Sequence, residues 1–485
     1  KTCRLHVAAS AALLLAIAGW LGGQDSLCSR SSSGGREGTD RYCDVDFNSG
    51  VGCGPVHKSA ASICFHCLQH WPVRISKTTP RLVGSGLLEW HSPKTRPLLA
   101  LAARKSMSDP KQLTRELSTA PSATALLSVL EQELDNPIFN EVHIGAAFNK
   151  LAKLKHGITS SLGNSPQLCK LAARLRDMLL REALPARSCA SLFWAIAKLQ
   201  SGTPELQDLM PMLIENAKIT APYMNPLDVT NVVWACATNR LSSEQLNDLL
   251  PQILERLIDR ADFLNAQQIA NCIWASGKLK TDAPEMLIAI PVLLEVASIK
   301  ILDFQGQNLA NIIWSSGVLR QETPELQQLL PALVAQLPSR MGSMTNQEIS
   351  NTAWGLALCG QKDDEFMLAA ASRLVATASS MGKQKLLMDL PELTCAYAKL
   401  GMRCSALLEA TALNLSPVLT SAGDWAVCSL KWSFGKLDPN RYFAEFQASL
   451  AKEVKRRKLS AEEVESSQLG PKDWSGANRS RTDRW

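Results

Sequence analysis

Between Asn225 and Arg240 the apolar residues Val229, Val232, Val233 and Ala237 fall three and four apart, the spacing that lines one face of a helix. Asn225 offers a side-chain acceptor to the first free amides, and Pro226 suits the first helical position, where no donor is lost. A second periodic stretch runs from Ser243 to Arg260, with Leu246, Leu249, Leu250, Ile253, Leu254 and Leu257 on one face. The corresponding starts Thr203-Pro-Glu-Leu and Thr323-Pro-Glu-Leu again pair a cap with proline. Two such helices with their loops make a unit of about forty residues.

The unit recurs. Trp194, Trp234, Trp274, Trp314 and Trp354 stand at one pitch, and Pro211, Pro251, Pro291 and Pro331 stand at the same pitch. Each of these prolines falls near the middle of a second helix, which it should kink or split. Degenerate copies extend the series. Cys395-Ala-Tyr-Ala-Lys-Leu400 matches Trp194-Ala-Ile-Ala-Lys-Leu199 with cysteine in the tryptophan position, and Trp432-Ser-Phe-Gly-Lys-Leu437 restores the tryptophan. Asn149-Lys-Leu-Ala-Lys-Leu154 is a weaker upstream copy. No alternating strand pattern appears. The expected fold is all-α: an α-solenoid of about eight helical hairpins of ~40 residues over 109–450. The tryptophans, Trp432 included, should fill equivalent positions between neighbouring units. The asparagine three residues before Trp234, Trp274, Trp314 and Trp354 either bonds the next unit or faces a groove.

The ends read differently. Lys1–Gly23 has Lys1 and Arg4 before an apolar run, Val7–Leu21, too short for a comfortable membrane span and suited to a signal-peptide core. Between Val56 and Ser108 eight basic residues meet one acid, Glu89, so residues 24–108 read as a basic transit-like or disordered leader. Signal followed by transit segment is an address to a plastid, with the mitochondrial matrix as the alternative. No integral membrane association is expected once the leader is removed. Residues 451–485 read as a disordered polar tail carrying one basic cluster, Lys455–Lys458.

Composition adds little until chemistry is sought. The chain is 46% apolar and 20% charged, ordinary for a globular protein. Several of its 14 cysteines, Cys236 and Cys272 among them, lie in apolar helical columns and suit reduced core positions. Cys64-Phe-His-Cys67, with His70 nearby, lacks a second pair at ligand spacing, so no metal is expected. There is no P-loop, GxSxG or HExxH motif, so neither catalysis nor a cofactor is expected.

The units Asn-x-[Val/Ile]-Trp-[Ala/Ser]-x-[Ala/Gly]-x-Leu, preceded by Phe139-Asn-Glu-Val-His-Ile-Gly-Ala-Ala-Phe-Asn-Lys-Leu-Ala-Lys-Leu154, resemble organellar helical-repeat proteins. These are the octotricopeptide-repeat and FAST-kinase-like leucine-rich proteins, which often end in a RAP domain. The resemblance covers roughly 109–450 and implies binding of single-stranded organellar RNA, a transcript or ribosomal RNA, in support of its processing, stability or translation. No RAP domain follows Leu450, so the resemblance implies binding without catalysis.

Charge divides the case. Between Ala186 and Gly360 there are 11 Lys/Arg and 16 Asp/Glu, a balance of −5, where a nucleic-acid binder usually carries a basic footprint. Two basic columns nevertheless follow the repeat. Arg240, Lys280 and Arg320 lie near the glutamates that open the following helices, and should be neutralised. Arg260, Lys300 and Arg340 end the second helices beside the amides of the adjoining first helices. Those amides are Gln267, Gln268 and Asn271; Gln307, Asn308 and Asn311; and Gln347 and Asn351. Cations there could hold phosphates while amides read base edges. An Asn and a Trp one helical turn apart also resemble armadillo repeats, which hold extended peptides. The alternative is therefore a scaffold for a basic peptide or other protein partner.

Overall fold

The computed structural model describes residues 109–471 except 155–164, 182–183, 200–205, 207 and 239–240, all within the unit Asp44–Trp485. The expected signal and transit segments and the Cys64–Cys67 pair lie outside the described residues. The described residues are all-helical, without strands. In chain order the helices are α1 (Pro110–Thr119), α2 (Ala123–Glu133), α3 (Glu141–Lys153), α4 (Pro166–Arg181), α5 (Ala186–Leu199), α6 (Met210–Thr220) and α7 (Pro226–Thr238). There follow α8 (Ser243–Asp259), α9 (Ala266–Leu279), α10 (Ile290–Ile299), α11 (Gly306–Val318), α12 (Leu330–Val334), α13 (Leu337–Arg340) and α14 (Asn346–Leu358). The last are α15 (Asp364–Thr377), α16 (Lys383–Lys399), α17 (Ser405–Leu415), α18 (Asp424–Leu437), α19 (Ala444–Arg456) and α20 (Ala461–Ser466).

The helices that carry the repeated motif pack in chain order: α3 on α5, then α7, α9, α11, α14, α16 and α18, each touching the next. The partner helix of each hairpin packs behind its own first helix, as α8 does on α7 and α15 on α14. Small residues one and three places after each tryptophan let the first helices approach closely. A Cβ added at Gly355 of α14 would lie 2.4 Å from the backbone oxygen of Ile313 in α11. One added at Gly317 would lie 2.7 Å from the backbone oxygen of Gly355. Here backbone meets backbone, and no larger residue fits. Around this contact the apolar columns Val229, Val232, Ile269, Cys272, Ile273, Leu309 and Ile313 are fully buried.

Local chemistry fixes the helix starts. The Asn225 side chain accepts from the Asp228 amide at 3.0 Å, and Asp228 returns the bond to the Asn225 amide at 3.2 Å. Ser242 and Gln245 form the same reciprocal cap for α8. The proline column behaves in two ways. Pro291 and Pro331 stand in the first turns of α10 and α12, after 3₁₀ stretches Pro284–Ala289 and Pro324–Leu329, so the second helix is split where expected. Pro251 lies inside α8, which runs through it unbroken.

The segment after Leu450 is a correction to the expected disordered tail. Helix α19 continues to Arg456, and α20 and a 3₁₀ turn Ser467–Leu469 follow. Two arginines of the basic cluster, Arg456 and Arg457, are engaged in structure. Arg457 donates to Asp424 Oδ1 at 2.8 Å and to the Ala422 carbonyl at 2.7 Å, and Arg456 pairs with Glu453 at 2.7 Å. A composition reading takes such residues as solvated, because it cannot see their partners.

Gly355→Val should cost about 3 kcal/mol or more, since only a backbone shift in α11 can admit the side chain. Gly145→Ala, in α3 with nothing within 4 Å of the added methyl, should instead stabilise by about 0.5–1 kcal/mol. Urea unfolding of the two variants checks the sign of each.

Candidate nucleic-acid interface

The expected strip divides on inspection. Lys300 Nζ donates to the Asp262 carbonyl at 3.2 Å and to the Leu264 carbonyl, both in the loop that enters α9. Arg340 reaches the Leu302 carbonyl at 3.5 Å, ahead of α11. Arg260 lies 3.2 Å from Asp259 and over the Phe263 ring at 5.9 Å. The same device recurs outside the forty-residue column. Arg174 donates to the Phe139 carbonyl at 2.7 Å and Arg256 to the Met224 carbonyl at 2.7 Å. Arg260 apart, a cation from the second helix clasps the entrance of its own hairpin and supplies donors to the carbonyls there. The column is thus largely a set of hairpin clasps.

Two of the amides are also committed. Gln268 (8% exposed) and Asn308 (5% exposed) accept from the amides of Asn265 and Gln305 at 2.8 and 3.0 Å, completing capping boxes. Gln267, Gln307 and Gln347 are exposed, and Asn271, Asn311 and Asn351 are half-buried. Gln267, Lys300, Gln307 and Asn308 surround one shallow depression of about 510 Å³ between the starts of α9 and α11. In the second basic column Lys280 pairs at 3.3 Å with Glu322 of the next unit and not with a glutamate opening its own following helix, and Arg320 donates to the Gly317 carbonyl at 2.8 Å.

A different alignment runs along the first helices. Residues three, four and seven apart share a helix face, so Gln267, Asn271, Trp274 and Lys278 form one stripe on α9. Trp194, Trp234, Trp274, Trp314 and Trp432 are half-buried, while Trp354 is only 1% exposed. Neighbouring rungs touch. The Trp194 and Trp234 ring centroids lie 6.4 Å apart, and a methyl on Gly277 of α9 would come within 3.0 Å of the Trp314 ring on α11. The tryptophans therefore pack between adjacent units and still present an accessible edge. Sequence reading missed the cations beside them. Lys198, Lys278 and Lys436 hold their ammonium groups over Trp194, Trp274 and Trp432 at 4.7, 5.9 and 5.1 Å. The signal was present as Trp-x-x-x-Lys, one helical turn.

The stripe carries unusual electrostatics where α16 joins it. Glu392 takes the asparagine position and Cys395 the tryptophan position. Burial first, and the nearby Asp389 next, push the Glu392 carboxyl up to about 8 against the pull of Lys278. Burial lowers Lys278, and Glu392 opposes that shift. Asp389, 2% exposed and with no partner for Oδ2, is raised by burial to about 6. Burial drives the thiols of Cys236, Cys272 and Cys395 up to about 12, leaving no thiolate at neutral pH.

Among the described residues no group of three or more His, Cys, Asp or Glu could hold a metal ion. Among them too, no helix is long and apolar enough to cross a membrane. No protein-family model matches the chain, and no curated protein matches it.

The folded chain holds the Glu392 proton up to about 8, whereas an ordinary glutamate releases it near 4.5. Unfolding between those values therefore releases protons, and stability should fall as pH rises through that window. Asp389, raised from 3.8 to about 6, adds a decline of the same sign lower in pH. Melting temperatures of the natural chain and Glu392→Gln across this window check the assignment. The substitution should flatten the upper part of the decline, and parallel curves would remove Glu392 as its source.

Proposed function

We propose that this protein binds single-stranded RNA without catalysis, along the tryptophan face of an α-solenoid of about eight ~40-residue hairpins. The observation that carries the proposal is the stripe itself. A partly exposed tryptophan recurs in five units, with an amide one turn before Trp234, Trp274 and Trp314 and a lysine one turn after Trp194, Trp274 and Trp432. Aromatic faces stack bases, amides pair with base edges, and ammonium groups meet phosphates. The resemblance to the octotricopeptide-repeat and FAST-kinase-like leucine-rich families supports an organellar transcript or ribosomal RNA as the ligand. The basic, acid-poor leader supports delivery to a plastid. A reporter fused to Lys1–Ser108 should collect in that organelle, and mitochondrial or diffuse signal would refute the address.

One observation favours a second reading. The −5 balance from Ala186 to Gly360 suits a basic, extended peptide better than a polyanion, as in an armadillo-like scaffold. The two readings separate cleanly in solution.

Trp274→Ala should weaken RNA binding about 5- to 150-fold, the range for loss of one stacked base. Lys198→Ala with Lys278→Ala should reduce the salt slope by about 2, whereas Lys300→Ala should chiefly lower the melting temperature. Fluorescence anisotropy with a labelled single-stranded RNA over a salt series measures all three. An absence of RNA binding at low salt, together with tight binding of basic peptides, would transfer the case to the scaffold.

A further inference from the structure

Trp354 is the exception in its column. Four preceding tryptophans are half-buried, and this one is sealed. The seal comes from the far end of the chain. Gly470 lies against the ring, so that an added Cβ would stand 3.2 Å from Cζ2 and 3.4 Å from Nε1 of Trp354. Trp425 of α18 meets Trp354 edge-on, with centroids 6.0 Å apart, and its Nε1 donates to the Ser467 carbonyl at 2.9 Å.

The route of this segment is longer than an end cap requires. Covering the last hairpin would need contact with α18 and α19 alone. Instead the chain turns at Lys458, where φ is 57°, and starts α20 with a Ser460–Glu463 capping box. It packs α20 and the 3₁₀ turn on α18. It then reaches α14, passing the register of α16. In that register α16 carries Cys395, fully buried, where α14 and α18 on either side carry the larger indole. Gly470 itself sits at φ 101°, a conformation that only glycine adopts without strain.

We propose that Ser460–Gly470 is the end stop of the ligand groove, closing the ladder at Trp354 and confining a bound strand to the rungs Trp194, Trp234, Trp274 and Trp314. This rests on the RNA reading and sharpens it: the ligand is a short single-stranded element spanning four stacked bases, one per rung. Lengthening the strand beyond those rungs adds no stacking surface, because the next indole is already covered.

The test uses two variants of the full chain, one ending at Leu459 and one carrying Gly470→Val, which strains the positive φ and crowds Trp354 without removing the segment. With fluorotryptophan incorporated, the Trp354 signal, assigned by Trp354→Phe, reports solvent contact through its shift between light and heavy water. Affinity for oligouridylates of increasing length reports the groove. In the natural chain affinity should level off at four nucleotides, with the Trp354 signal insensitive to solvent. In both variants the signal should become solvent-sensitive, affinity for longer strands should rise about 5-fold or more, and the plateau should move out by one nucleotide. A Trp354 signal that stays insensitive in both variants would show that the segment is not the cover. A signal that opens while the plateau stays fixed would make the segment packing alone. If no form binds RNA, the proposal falls with the reading beneath it, whatever the fluorine signal shows.

Discussion

The approach of one first helix to the next is the constraint on which everything else depends. At Gly317 and Gly355 it is backbone against backbone, closer than any side chain allows. Where the motif tolerates Ala or Ser, the helices still meet through small groups. That spacing sets the pitch of the tryptophan column, because each indole must lie across a neighbour without parting the helices. It also fixes which face of each helix stays open. The small residues turn inward to the contact, and the residues three before Trp194, Trp234, Trp274, Trp314 and Trp354, with Lys198, Thr238 and Lys278 four after, are left half-buried on the accessible side, whereas Val318 and Leu358 at that place are buried.

A second layer of order comes from charge used internally. Arg174, Arg256, Lys300, Arg340 and Arg457 each close a hairpin by bonding carbonyls at its entrance. These carbonyls precede a helix and would otherwise lack protein donors, so a long flexible cation is an economical partner. Such clasps reconcile the acidic balance of the repeats with their abundance of well-placed arginine. A basic column at repeat pitch is what a phosphate-binding edge would look like, and it is equally what a conserved-geometry clasp looks like.

Those facts explain how much could be read from the chain alone. The all-helical architecture, the hairpin unit and the cap at Asn225 were legible because apolar spacing, cap chemistry and the forty-residue pitch agree with one another. The roles of Lys300 and Arg340 were not, because their partners are backbone carbonyls about 36 to 38 residues away, invisible to any local pattern. Gln268 and Asn308 looked like groove amides, although their place three residues after a cap already suited a capping box. Lys198 and Lys278 were overlooked for the opposite reason, since a lysine one turn after a tryptophan reads as ordinary helix cover. The helices after Leu450 were hidden by polarity, as Glu453, Arg456 and Arg457 satisfy one another.

We propose that the open indole column, and not the edge formed by the second-helix cations, receives a single strand. Ultraviolet crosslinking of a bound oligoribonucleotide, with the attachment sites mapped by mass spectrometry, tests it most directly. Adducts are expected on the peptides that carry Trp194, Trp234, Trp274 and Trp314, with none at Trp354. Adducts gathered instead around Arg260, Lys300 and Arg340, with the tryptophan peptides unmodified, would contradict it.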